Sequence, residues 1–388
     1  MVETLVAHVP AMIPPVSSPA PRSVRVSTLE LFFDLVFVFT ITQLTDVLAE
    51  GHNLEALSRV VVMLLLIWWI YDGYAWLTNA ISPDRGRFRL LLLGGMGGFL
   101  MISLATPHAY ERDGLIFGLG YLAVTALHAG LFVRGVSAEE LRAILKIAPF
   151  NLVVAILVVI GGALGGDPQT IIWAAAAVLV WLTPQFTSVE GLVIGVAHFV
   201  ERHGLVVIIA LGESIVVLGV GTEGLELDAG IVLFGLLALG LNAALWWVYF
   251  SDETAVEEAF HDAAPERRPQ LALNAFGYWH YGLLLAVIAV AAGLKKAIGH
   301  PFDPLEDWIA VALAAGTALF VATDAGFRRS FGLARNSKRL VAAVVGLATI
   351  PIGTEIGGCP GGTLMSMPRR ATPGPSLTTF RTAPMPLP

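Results

Sequence analysis

The chain has 388 residues, of which 56% are hydrophobic and 14% charged, and its mean hydropathy is +0.75. A soluble domain needs roughly a quarter of its residues charged to coat its surface, so a soluble globular protein is excluded. The net charge of −7, with no basic stripe interleaved with aromatics, excludes nucleic acid as a partner, and a single cysteine, Cys359, excludes an internal disulfide framework.

Residues 1–26 contain Pro10, Pro14, Pro15, Pro19 and Pro21 and no uninterrupted apolar core. This composition predicts a disordered cytoplasmic tail, not a cleaved signal. The apolar residues that follow come in blocks of about 17–23, the length that crosses a hydrocarbon core of about 30 Å. They predict spans near 30–49, 59–81, 88–105, 114–133, 140–162, 168–186, 204–221, 229–250, 271–293, 307–323 and 340–356. The fold class is therefore all-α integral membrane, a polytopic bundle of about 11 transmembrane helices. Capping boxes mark two starts: Ser27-Thr28-Leu29-Glu30 before the first span and Ser137-Ala138-Glu139-Glu140 before the fifth. Ser188 to His203 reads as a short amphipathic segment at the membrane interface. The Gly94-Gly95-Met96-Gly97-Gly98 run inside span three reads as a close helix contact and not as a nucleotide turn, because no strand precedes it.

Lys and Arg in alternate connections set the orientation. With the N-terminus inside, sixteen of them fall on the cytoplasmic side and only Arg59, Arg112, Lys295 and Lys296 on the other, the rest lying in the C-terminal tail. The expected location is the cell (plasma) membrane, multi-pass, with a cytoplasmic N-terminus. The bilayer is the first partner, an ion or small solute the second, and the sequence admits a homo-oligomer.

Two Trp-Trp pairs, Trp68-Trp69-Ile70-Tyr71 and Trp246-Trp247-Val248-Tyr249, follow Asp34 and Glu213 by 34 and 33 residues. This spacing predicts two six-helix halves, 27–187 and 188–356, related by an axis along the membrane normal. The twelfth helix is missing or replaced. Residues 357–388, beginning Gly357-Gly358-Cys359-Pro360, are too rich in Gly, Pro, Thr and Arg to span a bilayer, and read as a disordered, non-native tail or a native short form.

An ionisable residue at bilayer depth costs about 2.5–3.5 kcal/mol on insertion scales, so each is a functional candidate. Glu213 lies eleven residues past Arg202, about 16 Å along a helix. Asp34, Asp72, His280 and Asn242 lie at similar depth in their spans. Together with Glu213 they form the candidate transport or proton relay, since buried carboxylates and histidines exchange protons near neutral pH. Their alternative role is interhelical hydrogen bonding alone. Asp46 reaches toward the outer end of span one. Glu30, His198, Glu201 and Arg202 form a candidate cytoplasmic gate, with Glu201 and Arg202 as an interfacial ion pair. The spacing of His198, Glu201 and His203 is not a zinc signature, so neither a metal nor a cofactor is expected.

Two stretches carry a family likeness. They are Leu29-Glu30-Leu31-Phe32-Phe33-Asp34-Leu35-Val36-Phe37-Val38-Phe39 through Gln43-Leu44, and His198-Phe199-Val200-Glu201-Arg202-His203-Gly204 followed by Ala210-Leu211-Gly212-Glu213-Ser214. Over about residues 25–355 the chain resembles the bacterial low temperature requirement protein A family, named for growth in the cold. The resemblance implies a multi-pass membrane protein more than it implies a mechanism, and the tail after about residue 356 departs from the family pattern. The two-half plan is also similar to the lysosomal potassium-channel family, which carries Phe-Ser-Asp in the first helix of each repeat. Phe32-Phe33-Asp34 matches that motif in part, and Gly212-Glu213-Ser214 departs from it.

Duplicated halves with buried acids point first to a transporter or channel for protons, cations or a small solute. A membrane-embedded enzyme on a lipid substrate, using Glu30, Asp34, His198, Glu201 and His203, is the alternative, and a sensor or accessory protein of the membrane the third. The sequence favours transport over enzymatic chemistry.

Overall fold

The computed structural model describes residues 25–81, 86–135, 138–187, 192–299, 303–333 and 337–355. The expectations for the N-terminal tail, for residues 357–388 with Cys359 and for the Ser137 cap lie outside the described residues. Helices α1 (Thr28–Gly51), α2 (Leu54–Ala80), α3 (Gly86–Ala105), α4 (Gly114–Gly135), α5 (Ala138–Leu164) and α6 (Gly166–Phe186) come first. They are followed by α7 (Val196–Gly221), α8 (Ala229–Phe250), α9 (Glu253–Asp262), α10 (Arg268–Ala272), α11 (His280–Ala297), α12 (Asp307–Ser330), α13 (Ser337–Ala348) and α14 (Ile350–Glu355). Among the described residues, ten segments are long and apolar enough to cross a membrane, with α10 and α11 belonging to one, Pro265–Ala297. The chain is therefore a polytopic all-α membrane protein. The stretch expected as an eleventh span forms α13 and α14 instead, divided at Thr349. Pro351, in the first turn of α14, lacks the N–H and the clearance that would continue α13.

Local chemistry sets the helix starts. Ser27 Oγ accepts from the Glu30 N–H at 3.3 Å while Glu30 Oε2 accepts from the Ser27 N–H at 2.9 Å, the reciprocal box expected from the sequence. The α1–α2 connection is short because His52 turns at φ 39° and Asn53 Oδ1 caps α2 by accepting from the Ala56 N–H.

Helices α1, α2, α7 and α11 pack at the centre, with α1 against α3, α7 and α11. Parallel packing relations recur: α1 with α3 and α7 with α11, α3 with α4 and α11 with α12, α4 with α5 and α12 with α13. Small residues permit the closest approaches. A Cβ on Gly162 of α5 would lie 2.0 Å from the Gly114 carbonyl oxygen of α4. In the glycine run of span three, a Cβ on Gly98 would meet Val124, whereas Gly97 faces open space.

Two segments differ from the sequence reading. The expected amphipathic segment Ser188 to His203 is described from residue 192 onward, where α7 starts at Val196 and buries His198, Arg202 and His203 inside the bundle. The polarity that suggested an interface is satisfied by carboxylates on other helices. The ninth span is longer than 271–293 and contains a π-helical turn, Leu273–Trp279. One extra residue per turn widens the backbone there, and such bulges concentrate at functional sites.

Because the Gly114 carbonyl is backbone and cannot swing away, Gly162→Ala is expected to lower stability by about 1–3 kcal/mol. Gly97→Ala should stay within about 0.5 kcal/mol of the parent. Unfolding of the purified chain in detergent reads both.

Candidate functional site

The buried charges converge where α1 and α7 begin and α2 ends. Glu30 divides its two oxygens between tasks. Oε2 caps α1, and Oε1 takes Arg202 Nη1 at 2.7 Å and His198 Nε2 at 3.0 Å. Arg202 Nη2 lies 3.2 Å from Asp34 Oδ1, its Nη1 also donates to Thr78 Oγ1, and the Tyr71 hydroxyl donates to Asp34 Oδ1 at 2.5 Å. Arg202 is 1% exposed and Asp34 0%. Glu30 and Asp34 are the third and seventh residues of α1, and their partners His198 and Arg202 are the third and seventh of α7. Asn79 fixes the start of α7. It donates to the Gly195 carbonyl at 2.9 Å and accepts from the Gly195 N–H at 2.8 Å.

A second set lies deeper. His203 Nε2 is 3.1 Å from Asp72 Oδ1, its Nδ1 is 2.8 Å from the Phe199 carbonyl, and Trp76 donates to Asp72 Oδ2 at 3.2 Å. The rings of His203 and His280 stand 5.4 Å apart, with Trp68 stacked on His280 at 6.4 Å. The π turn explains this seating, because Trp68 Nε1 donates to the Gly277 carbonyl at 2.7 Å and His280 Nδ1 is 3.0 Å from the Ala275 carbonyl. His280 Nε2 meets the Tyr249 hydroxyl at 2.7 Å.

Partner chemistry assigns the protons. His280 faces a carbonyl at Nδ1 and so donates there, and its Nε2 shares a hydrogen bond with the Tyr249 hydroxyl. His198 accepts at Nδ1 from the Asn79 amide, 3.3 Å away, and its Nε2 lies 3.0 Å from Glu30 Oε1. His203 faces an acceptor at each ring nitrogen. The three carboxylates Glu30, Asp34 and Asp72 face one permanent cation, Arg202, and Asp34 Oδ2 has no hydrogen-bond partner.

A third cluster differs in its charge balance. Asp324 lies 3.0 Å from Arg328 Nε and 2.9 Å from Arg339 Nε, and Asp252 lies 2.8 Å from Arg328 Nη1. Arg328 also donates to the Val248 and Tyr249 carbonyls at the end of α8. Two acids meet two guanidiniums, and the arrangement closes a helix terminus. Sequence reasoning missed Asp324, although Asp324 and Arg328 stand at i and i+4. It also missed the parts played by Tyr71, Trp68 and Tyr249.

The structure brings Asp34, Asp72 and His280 together with Glu30, His198 and Arg202. It does not place Glu213 with them: Glu213 is the eighteenth residue of α7, so its equal spacing to a Trp-Trp pair is not equal depth. The two Trp-Trp pairs also differ in setting, with Trp68 1% and Trp247 68% exposed. Asn242 donates to the Ala238 carbonyl of its own helix. Glu201 is exposed and accepts from the Val26 N–H, so the expected Glu201–Arg202 pair is replaced by Arg202 with Glu30 and Asp34. Among the described residues no group of three or more His, Cys, Asp and Glu is arranged to hold a metal. Beside the network, a cavity of about 420 Å³ between α2, α4, α5 and α6 has Asp72, Trp76, His128, Pro149 and Asn151 in its wall.

Arg202→Met strands two buried carboxylates and is expected to cost about 3–5 kcal/mol. Arg202→Lys should recover only part, since an ammonium cannot span Glu30, Thr78 and Asp34. Adding Asp34→Asn to Arg202→Met should recover at least about 1 kcal/mol, a coupling read by a double-mutant unfolding cycle.

The model of the family described as Bacterial low temperature requirement A protein matches residues 25–360. An uncharacterized protein of Rhizobium meliloti (strain 1021) is 28% identical over 320 residues, covering 77% of this chain and 76% of that protein. The matched region contains every helix of the charge network, and the chain belongs to the bacterial low temperature requirement A family.

Proposed function

We propose that this protein is a transporter or channel of the plasma membrane, N-terminus cytoplasmic, moving protons, cations or a small solute along its buried acids, with protons the best-supported cargo. The observation that carries this reading is the charge imbalance of the network on α1, α2 and α7: three carboxylates against one guanidinium, with Asp34 Oδ2 unpartnered. A purely structural cluster has reason to be balanced, as the Asp252–Asp324–Arg328–Arg339 set is. An imbalance at bilayer depth is tolerated when mobile protons or cations make up the difference. The Asp72–His203 and His280–Tyr249 contacts supply donors and acceptors in sequence, as proton transfer requires.

The proposal includes two duplicated halves. The recurring packing relations and the third-to-third and seventh-to-seventh contacts between α1 and α7 support it. In this reading the acids of one half meet the bases of the other at the axis, where substrate sites of duplicated transporters lie. A second reading, chemistry on a lipid-derived substrate, has one observation in its favour, the apolar cavity with Asp72 in its wall.

Proteoliposomes carrying a pH gradient test the first reading. The parent should dissipate the gradient. Asp72→Asn should slow this by about a hundredfold, the scale of losing a positioned proton-transfer group. Arg339→Gln, in the balanced cluster, should lose stability while keeping its flux per folded molecule. Equal flux in the parent, Asp72→Asn and protein-free vesicles contradicts the proposal.

A further inference from the structure

The cavity beside the inner network lies in the half of the bundle where α2, α4 and α6 end and α5 begins. Its volume of about 420 Å³ suits one drug-sized apolar ligand. The wall is apolar, and the few polar groups in it are already engaged. The Trp76 indole donates to Asp72 Oδ2, the Trp69 indole donates to Asn151 Oδ1 at 3.1 Å, and Thr125 donates to the Tyr121 carbonyl of its own helix. His128 Nε2 is packed against Gly73, where an added Cβ would lie 3.1 Å from it. A hydrocarbon chain therefore fits this space better than a polar solute does. The mouth is on α5: Leu145 and Leu152 line the cavity and are 54% and 48% exposed, so the opening lies on the outer, lipid-facing surface of the bundle.

Two cations flank this mouth. Arg142 begins the membrane-spanning part of α5, Arg142–Leu164, and Lys146 follows about one turn later. Arg142 stands three residues before Leu145 and Lys146 three before Pro149, and both of these residues line the cavity. The charges and the mouth therefore share one face of the helix. Both cationic side chains are exposed, and neither meets a carboxylate among the described residues. Cations at the membrane surface beside an apolar cavity open to the bilayer match a molecule with an anionic head and a hydrocarbon tail. A free anion would leave the cavity unused, and a zwitterionic lipid would bring the cations no net counter-charge. We propose that this is a binding site for one anionic phospholipid, with its phosphate on Arg142 and Lys146 and one acyl chain in the cavity against Trp69 and Trp76. The seated chain shields Asp72, in the same wall, from the bilayer side. The site stands apart from the transport reading, because its occupancy is measured without flux.

The test is thermal unfolding of the purified, delipidated full chain in detergent, with dioleoyl phosphatidylglycerol, dioleoyl phosphatidylcholine or inorganic phosphate added stepwise. The parent should show a saturable rise in Tm with phosphatidylglycerol, as a ligand that binds only the folded state produces, a weaker one with phosphatidylcholine and none with phosphate. Arg142→Gln combined with Lys146→Gln, both at exposed positions, should raise the half-saturating phosphatidylglycerol by at least about tenfold, to the phosphatidylcholine level. Ala126→Phe, which fills the cavity from α4, should abolish the response to both lipids, and Ala129→Leu supplies the same comparison if that variant does not accumulate. A phosphatidylglycerol response identical in the parent and in both kinds of variant reports lipid spread over the whole apolar surface and overturns the site. A response lost in the charge variant but kept on filling the cavity also overturns it, leaving only a surface patch for headgroups. An equal response of the parent to both lipids overturns the anionic class.

Discussion

A guanidinium buried at the junction of three helices sets the geometry of this protein. Arg202 is 1% exposed and withdrawn from bulk solvent, so its position is acceptable only where carboxylates meet it. Glu30 and Asp34 do so from α1, and Thr78 from the end of α2. The entry of α1 is fixed in turn by the Ser27–Glu30 box, and that of α7 by the Asn79 clamp on Gly195. Once α1 and α7 are paired in this register, Asp72 falls opposite His203 and Trp68 reaches the carbonyl that the π turn releases.

The three buried clusters differ in a way that bears on their use. Two acids and two guanidiniums at the end of α8 balance one another in charge, and Arg328 also meets the helix carbonyls. The inner network has more carboxylates than permanent cations and leaves Asp34 Oδ2 unpartnered, and Glu213, buried separately on α7, leaves its Oε1 unpartnered. Low dielectric amplifies the cost of such an imbalance, and the proposed proton traffic rests on the network that does not close. The ion pairs that do close hold the helices that carry them.

Much of this was legible in the sequence because charge is rare in an apolar chain. Asp34, Asp72 and His280 stand out by depth, Glu30 as a helix cap and His198 and Arg202 as part of a polar cluster, and the helix blocks around them follow from length and hydropathy. The partners were less legible. Tyr71 and Trp68 look like ordinary membrane aromatics, and only a fold can show that one holds Asp34 and the other holds Gly277. The π turn was hidden because one added residue barely alters a 3.6-residue period. Arg328 counted as a loop charge, so its i, i+4 relation to Asp324 went unread. Glu213 was grouped with Asp34 because similar spacing to a Trp-Trp pair mimicked equivalence, while residue position within α1 and α7 matches Asp34 with Arg202.

The central claim is that the inner network holds exchangeable protons and is not a dry structural ion pair. Infrared difference spectra of the purified protein, recorded as H₂O is replaced by D₂O, test it most directly. The account predicts a protonated-carboxyl or imidazolium signal that shifts on exchange and is absent from Asp34→Asn or Asp72→Asn. A network with no exchanging signal, or one unchanged in both variants, would contradict it.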